Sequence, residues 1–237
     1  MNFPFRSLAA SIAVLATACA TAAAPASKPT PEPVPAPVST SSEPILADPT
    51  SVNGAKAGTY KLDKHHASIV FSVDHLGFSH YVGQFTRFDA TLTIDPETPE
   101  TAHIIATIDP TSLIVPTPPE GFLAELLGPN WLNAEAFSEI TFESSAVTLT
   151  SSTTAQVTGN LTFLGAVQPI SFAATFNGGY AGFDPFDPNS RAGFAAEGSF
   201  SRSAFGMVYG LPPEGTKMGV GDGVNFRVDA EFTGPPL

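Results

Sequence analysis

The stretch from Tyr60 to Asp95 reads YKLDKHHASIVFSVDHLGFSHYVGQFTRFDATLTID. Its first half repeats with a two-residue period: Ile69, Phe71, Val73 and His75. Such a period places these side chains on one face of a β-strand. Gly77 ends this run and Gly83 opens a second strand. The alternation returns from Phe88 to Ile94 and stops at Asp95-Pro96, because proline lacks the amide that a sheet ladder needs. The stretch predicts a β-hairpin whose apolar face requires a core or a ligand to cover it.

The rest of the chain continues this strand pattern. Further strands are predicted over residues 102–109, 140–143, 147–150, 156–163, 170–176, 192–201 and 224–232. Asn177-Gly178-Gly179 is a strong turn signal after one of them. About eight to ten short strands at regular spacing are typical of an antiparallel barrel or sandwich.

The stretch from Pro116 to Phe137 differs from its surroundings. Pro118-Pro119-Glu120 is typical of a helix start, with proline at early positions and an acid near the positive end of the helix dipole. Four apolar residues then recur at helical spacing before Gly128-Pro129 ends the run: Phe122, Leu123, Leu126 and Leu127. We predict a short helical insert that packs on the sheet as a lid or plug.

The first eighteen residues predict a secretory signal. Arg6 precedes an apolar run from Leu8 to Ala18 that is too short to span a bilayer. Cys19, the only cysteine, lies where such a signal is cut, after small residues that resemble a lipobox. We predict acylation of Cys19, which tethers a protein to a membrane without making it span. The alternative is an incidental cysteine that is discarded with a signal cut after Ala22 or Ala24.

Residues 19–57 are rich in Ala, Pro, Ser and Thr and predict a disordered tether. Residues 58–237 suit one domain, and we expect it to be secreted across the inner membrane into the periplasm, anchored to the cell envelope through the lipid on Cys19. The formal net charge is −12. Because such an acidic surface repels phosphate groups, nucleic-acid binding and electrostatic adhesion to anionic lipid are both disfavoured.

The chain contains 19 phenylalanines, most of them in predicted strands. Composition alone favours a core packed with rings. The alternative is a barrel of about eight strands, which has room for one ligand and whose rings would suit a long apolar molecule. The candidate ligand-binding residues are Phe71, His75, Phe88, Phe142, Phe163, Phe172, Phe200, Phe205 and Phe226.

His75 shares the apolar phase of Phe71, so it has two open interpretations. It contacts a polar ligand head group near the barrel mouth, or it bonds to backbone at a strand end. No metal site is predicted, because zinc requires three or four convergent ligands and period-two geometry sends His65 and His66 to opposite faces. The chain lacks the G-x-S-x-G, H-E-x-x-H and phosphate-loop patterns, so we predict no enzyme and no cofactor.

Several ordered motifs resemble the YceI-like family. Its opening pattern is similar to Tyr60, Asp63, His66, Phe71, His75, Leu76, Gly77, Gly83 and Phe85. Its G-x-L-T-x-x-G-x-x-x-P segment is similar to residues 159–169, and its R-S-x-F-G-M signature to residues 202–207. The resemblance covers residues 58–233. One departure stands in the insert, where residues 121–127 read GFLAELL in place of the R-D-x-H-L segment that many members carry.

The resemblance implies a lipocalin-like antiparallel β-barrel with a helical insertion, in a secreted or periplasmic protein. It further implies binding of an isoprenoid lipid, such as a polyprenyl chain or a quinone tail, inside the barrel for storage or transport. Two alternatives remain: an interaction module with a solid core that docks a membrane partner, and a metal or redox accessory protein that uses His66 and His75. We expect Arg202 to have a structural role, paired with an acid such as Asp222, rather than to face the ligand.

Overall fold

The computed structural model describes residues 54–182 and 184–237. Ten strands in this part of the chain form one antiparallel sheet in the order β10-β9-β8-β7-β6-β4-β3-β1-β2-β5. The elements are β1 Gly58–His75, β2 Ser79–Phe85, β3 Phe88–Ile94, β4 His103–Ile108, β5 Leu113–Ile114, α1 Phe122–Leu127, β6 Ile140–Leu149, β7 Thr154–Phe163, β8 Ala166–Tyr180, β9 Asn189–Ser201 and β10 Val220–Pro236.

The sheet closes because β10 also pairs with β1. This seam runs from Lys61 opposite Thr233 to His75 opposite Val220. On its other side, β1 pairs first with β3 and then with β2, so β2 and β3 act as one strand with a short interruption. Counted in this way, and with the two-residue β5 left aside, the barrel has eight strands. The prediction of a mainly β antiparallel barrel with a short helical insert is confirmed, and the sandwich is excluded.

Two local predictions were wrong for the same reason. The Asn177-Gly178-Gly179 signal does not form a turn, because β8 runs through it and the chain reverses only between Tyr180 and Asn189. The glycines instead mark a register shift after Phe176. Similarly, the two strands predicted over 140–150 are one strand, β6, interrupted by a bulge after Ser144. A bulge adds an unpaired residue without ending the strand, and its sequence signature resembles that of a turn.

The helical insert is shorter than predicted. α1 has six residues and begins after Gly121, whose φ is 78°, rather than at Pro118-Pro119-Glu120. Its predicted end is correct, since the Gly128 amide donates to Glu125 O at 3.0 Å. Within residues 54–182 and 184–237, no helix combines the length and the apolar character that crossing a bilayer requires.

The last residues assigned to the tether belong to the barrel. Ala55 is buried in the same apolar cluster as Tyr60 and Phe232. The Lys56 amide donates to the Tyr60 hydroxyl at 2.9 Å, and this hydroxyl lies 2.7 Å from Ser190 Oγ. The domain therefore includes residues 54–57 as well. The predicted signal peptide, the acylated Cys19 and the rest of the tether lie outside the described residues.

Candidate ligand cavity

A cavity of about 850 Å³ occupies the interior of the barrel. Pockets that hold small molecules span roughly 300–1,000 Å³, so this space is of ligand size rather than a packing defect. Two clusters of buried residues form the wall around it, one near Tyr60 and Phe232 and the other near Phe85 and Phe163. The packed core that composition favours is therefore wrong for the centre of the molecule, and so is the solid-core alternative.

The alternating pattern of β8, β9 and β10 builds one side of this wall. All the side chains that these strands contribute to the cavity are hydrocarbons. They are Ile170, Phe172, Ala174, Phe176, Phe194, Ala195, Ala196, Phe200, Val220, Val224, Phe226, Val228, Ala230 and Phe232. Ala174 pairs with Ala196, which in turn pairs with Val228. These small residues leave the middle of the barrel open.

Three phenylalanine rings lie over glycines of neighbouring strands. A Cβ built on Gly83 would lie 2.5 Å from the Phe71 ring, and one built on Gly198 would lie 2.7 Å from the Phe226 ring. Gly159 has the same relation to Phe142. Because glycine has no Cβ, each ring can lie against the sheet instead of projecting toward the barrel axis. This arrangement keeps the lumen open although its wall is aromatic.

The structure places eight of the nine predicted ligand-binding residues on the cavity: Phe71, His75, Phe88, Phe142, Phe163, Phe172, Phe200 and Phe226. Phe205 lies elsewhere. It belongs to the 3₁₀ turn Arg202–Phe205 and packs behind the wall, with ring centroids 5.6 Å from Phe163 and 5.4 Å from Phe200. Its position corrects that part of the prediction, since it supports wall rings instead of facing the lumen. Ligand contact by the other eight stays a prediction.

His75 lies at the rim of the cavity, where β1 ends opposite Val220. Its side chain is exposed and makes no hydrogen bond to any described residue. The interpretation that His75 bonds to backbone at a strand end is therefore wrong. Contact with a ligand head group stays a prediction for this residue.

The insert covers the same end of the cavity. Phe122 and Leu126 of α1 line the cavity, and the Phe122 ring packs edge-on against Tyr81 with centroids 6.0 Å apart. An interaction module would dock its membrane partner through apolar side chains of this insert, but Phe122 and Leu126 face the lumen. The segment after α1 adds Trp131, which also lines the cavity. Sequence reasoning did not select Trp131, although the only tryptophan of the chain, just after Gly128-Pro129, was the available signal.

Arg202 is buried beneath this end of the barrel, with 1% of its surface exposed. Its guanidinium donates to four backbone carbonyls, at 2.9 Å to Gly221, 3.0 Å to Met207, 2.9 Å to Tyr209 and 2.8 Å to Val220. Burial lowers the pKa of Arg202, and the nearby charge of Asp222 opposes that effect. The predicted direct pair is wrong, because the Asp222 carboxylate accepts from the amide and hydroxyl of Ser203 instead. Arg202 still has a structural role, and it also borders the cavity.

A polar cluster lies on the outside of the barrel. Asp63, His66 and Glu231 bring their potential ligand atoms within 4.8 Å of one another. Arg191 Nη1 already donates to Asp63 Oδ2 at 2.9 Å, so a metal cation there would meet a resident positive charge. His75 lies nine residues farther along β1, about 30 Å away at a strand rise of ~3.3 Å per residue. His66 and His75 therefore cannot bind one ion, and the accessory-protein alternative that combines them is wrong.

This cluster predicts a stability optimum in mildly acidic solution. Hydrogen bonds from His66, the His65 amide and Arg191 lower the pKa of Asp63 to about 2, against a desolvation effect that raises it. Because the pKa of Asp63 is lower in the folded than in the unfolded protein, its carboxylate stabilises the fold above about pH 4, the pKa of an unfolded aspartate. This contribution is lost as the pH falls through about 2. The pKa of His66 is raised, chiefly by its hydrogen bond to Asp63. Its contribution is present below about pH 6.5 and is lost as the pH rises.

We expect Asp63→Asn to lower the melting temperature most between about pH 4 and 6.5 and to flatten the decline toward pH 2. Thermal unfolding from pH 2 to pH 8 measures both effects. Glu120→Gln serves as the control, because Glu120 is exposed in the loop before α1. A profile for Asp63→Asn that runs parallel to the wild type would show that the cluster does not govern acid stability.

The fold and the cavity together define a closed antiparallel β-barrel that encloses an apolar space of ligand size. Residues 60–232 match the YceI-like domain. The chain therefore belongs to the YceI-like family.

Three known proteins illustrate the similarity. A UPF0312 protein from Pseudomonas fluorescens (strain SBW25) is 36% identical over 159 residues, which cover 66% of this chain and 80% of that protein. The crystal structure of BcnA from Burkholderia cenocepacia has a TM-score of 0.61 at 21% identity and covers 72% of this chain and 98% of that one. A polyisoprenoid binding domain from Saccharophagus degradans, implicated in plant cell wall breakdown, has a TM-score of 0.54 at 10% identity and covers 76% and 100%. Both structures share the fold.

Proposed function

We propose that this protein binds one long apolar lipid of the isoprenoid class, such as a polyprenyl chain or a quinone with an isoprenoid tail, inside its barrel. The observation that carries the proposal is the cavity of about 850 Å³ behind a wall of rings that lie against the sheet. Burial of apolar ligand surface there contributes about 25 cal/mol per Å², before the costs of ordering the ligand are subtracted.

The shape of the cavity favours a long ligand. From Val224 to Phe232, alternate residues of β10 line it. Eight residue steps at ~3.3 Å, in a strand tilted by about 40°, extend roughly 20 Å along the barrel axis. A hydrocarbon tail fills such a lumen, whereas a compact polar molecule would leave many of the lining rings without apolar contacts.

The ligand class has support from a structural neighbour. The Saccharophagus degradans domain is described as polyisoprenoid binding and shares this fold. Along β8, β9 and β10 the lumen presents only hydrocarbon side chains, which neither transfer protons nor attack a substrate. We therefore propose binding without catalysis, for storage or transport of the lipid.

The cellular location of the protein is part of the same proposal. Residues 1–18 have the pattern of a secretory signal and Cys19 follows it, which supports a periplasmic protein anchored by a lipid on Cys19. The proposal requires labelled palmitate to enter the wild type and not Cys19→Ala. Equal labelling of the two proteins would contradict the lipid anchor on Cys19, but it would not bear on lipid binding inside the barrel.

Organic extraction of the purified protein, followed by mass spectrometry, tests the ligand. We expect one predominant isoprenoid lipid, close to stoichiometric with protein, and rebinding of that lipid after its removal. The proposal fails if no lipid is recovered and the stripped protein does not take up an added isoprenoid. Equal recovery from the lumen-blocking variant Ala174→Trp would identify the lipid as a contaminant.

A further inference from the structure

Two segments continue the cavity wall beyond one end of the barrel. The turn of residues 76–78 follows His75, and residues 208–219 connect Met207 with Val220. The three flanking residues, His75, Met207 and Val220, all line the cavity. We call the two segments the mouth loops, because they border the cavity where the exposed side chain of His75 reaches its edge.

The mouth loops carry large apolar side chains that are open to solvent. Phe78, Val208, Tyr209 and Met218 are between 48% and 81% exposed. Single exposed apolar residues are common on protein surfaces, but several on adjoining segments indicate a surface that binds something apolar.

The turn packs directly on the second half of the longer loop. The Leu76 amide donates to Gly219 O at 2.9 Å. A Cβ built on Gly77 would lie 2.6 Å from the Lys217 side chain, so these two residues are in close contact. The two most exposed of the four apolar side chains therefore lie on segments that touch.

Arg202 fixes the first half of the longer loop. Its guanidinium donates to the carbonyls of Tyr209 at 2.9 Å and Val220 at 2.8 Å, and the Val220 amide donates to Gly210 O at 2.8 Å. The Tyr209 ring packs edge-on against Trp131, which lines the cavity, with centroids 5.5 Å apart. The apolar side chains are thus held on a scaffold that is continuous with the cavity wall.

The mouth loops carry no net charge. In residues 76–78 and 208–219 the only charged side chains are Glu214 and Lys217, whereas the whole chain has a formal net charge of −12. Aliphatic and aromatic side chains without excess charge suit the boundary between lipid head groups and acyl chains, where binding depends on the apolar area buried.

We propose that the mouth loops insert their apolar side chains into the surface of a lipid bilayer, so that the isoprenoid passes between the bilayer and the cavity without crossing water. The inference rests on the proposed function and adds to it the partner surface and the route of the ligand. A bilayer is the partner that the cavity favours, because every methylene of an isoprenoid that enters water makes the transfer less favourable.

Sedimentation with phosphatidylcholine vesicles tests the docking. The protein is the chain from residue 19 with Cys19→Ala, which removes the predicted anchor and is called the parent. We expect the parent to bind these neutral vesicles equally at about 50 and about 500 mM salt, since no ionic attraction is involved. Phe78→Ser combined with Met218→Ser is expected to weaken the binding about tenfold.

A matched control removes similar side chains from the opposite end of the barrel. Phe186 lies in the loop between β8 and β9 and is 82% exposed, and Leu237 is 60% exposed. Phe186→Ser combined with Leu237→Ser is expected to bind vesicles like the parent. Equal weakening in the two double variants, or binding that requires anionic lipid, would overturn the inference.

Transfer of a fluorescent isoprenoid between donor and acceptor vesicles tests the route. We expect Phe78→Ser with Met218→Ser to slow transfer about tenfold, while the same variant takes up isoprenoid added from ethanol as fully as the parent. Unchanged transfer would overturn the inference. So would a parent dimer in sedimentation equilibrium that this variant dissociates, because the loops would then bind a second copy of the chain.

These outcomes separate the two proposals. If the parent takes up the isoprenoid but does not bind vesicles, the docking inference fails and lipid binding in the barrel stands. If the parent takes up no isoprenoid, the proposed function fails and the route fails with it.

Discussion

Replacing Arg202 with methionine is expected to lower the free energy of unfolding by about 3–5 kcal/mol, within the range for removal of a buried charged hydrogen-bonding group. Methionine approximates the length of the arginine stem but donates nothing. Four carbonyls between Met207 and Gly221 then lose their donor in a place where the side chain is 1% exposed. For a domain of this size the melting temperature is expected to fall by roughly 10 °C. Urea denaturation and calorimetry measure the change.

Arg227→Met is the matched control for this experiment. Arg227 also forms charged hydrogen bonds, to Glu197 and Asp229, but its side chain is 58% exposed. Ion pairs of this kind contribute at most about 1 kcal/mol, because water and salt screen them. Equal losses in the two variants would show that Arg202 does not organise the connection from β9 to β10.

The variant Ala174→Trp is expected to reduce bound lipid more than tenfold. Ala174 lies on the cavity in the middle of β8, opposite Ala196, so an indole there enters the space that a tail would occupy. The protein itself is expected to remain folded, since the added ring enters a cavity and not a packed core. Lipid recovered by extraction, and binding of an added isoprenoid, measure the effect.

The neighbouring residue supplies the control. Ala173 is exposed on the outer face of the same strand, paired with Glu197. Ala173→Trp adds the same side chain without entering the lumen, so it is expected to retain the lipid content of the wild type. If the two variants carry equal amounts of lipid, the ligand does not occupy the barrel interior.

The alternating pattern of residues 69–75 and 88–94 was enough to predict the sheet, because period two is a local property of the chain. The bulge after Ser144 and the Asn177-Gly178-Gly179 segment were both mistaken for turns, since a strand irregularity and a turn share small and polar residues. Motif resemblance, not periodicity, distinguished the barrel from the sandwich.

The cavity itself was beyond prediction from composition. Whether Phe71 and Phe226 meet other rings across the centre or lie against the wall depends on Gly83 and Gly198, which belong to other strands. The position of Trp131 on the cavity was beyond prediction for a related reason. Its neighbours include Arg202 and Tyr209, more than seventy residues away in the chain, so its environment exists only once the fold is assembled.

The seam between the first and last strands has a consequence for biosynthesis. Lys61 finds its partner only when Thr233 has been made, so the closing contacts join the two ends of the domain. Such remote pairing makes folding slow, because a long loop must close before the pairing stabilises anything. Until residues 220–236 emerge, β1 presents a strip of rings and aliphatics to the solvent. The newly made chain is therefore vulnerable to aggregation and proteolysis until β10 has been made and has paired with β1.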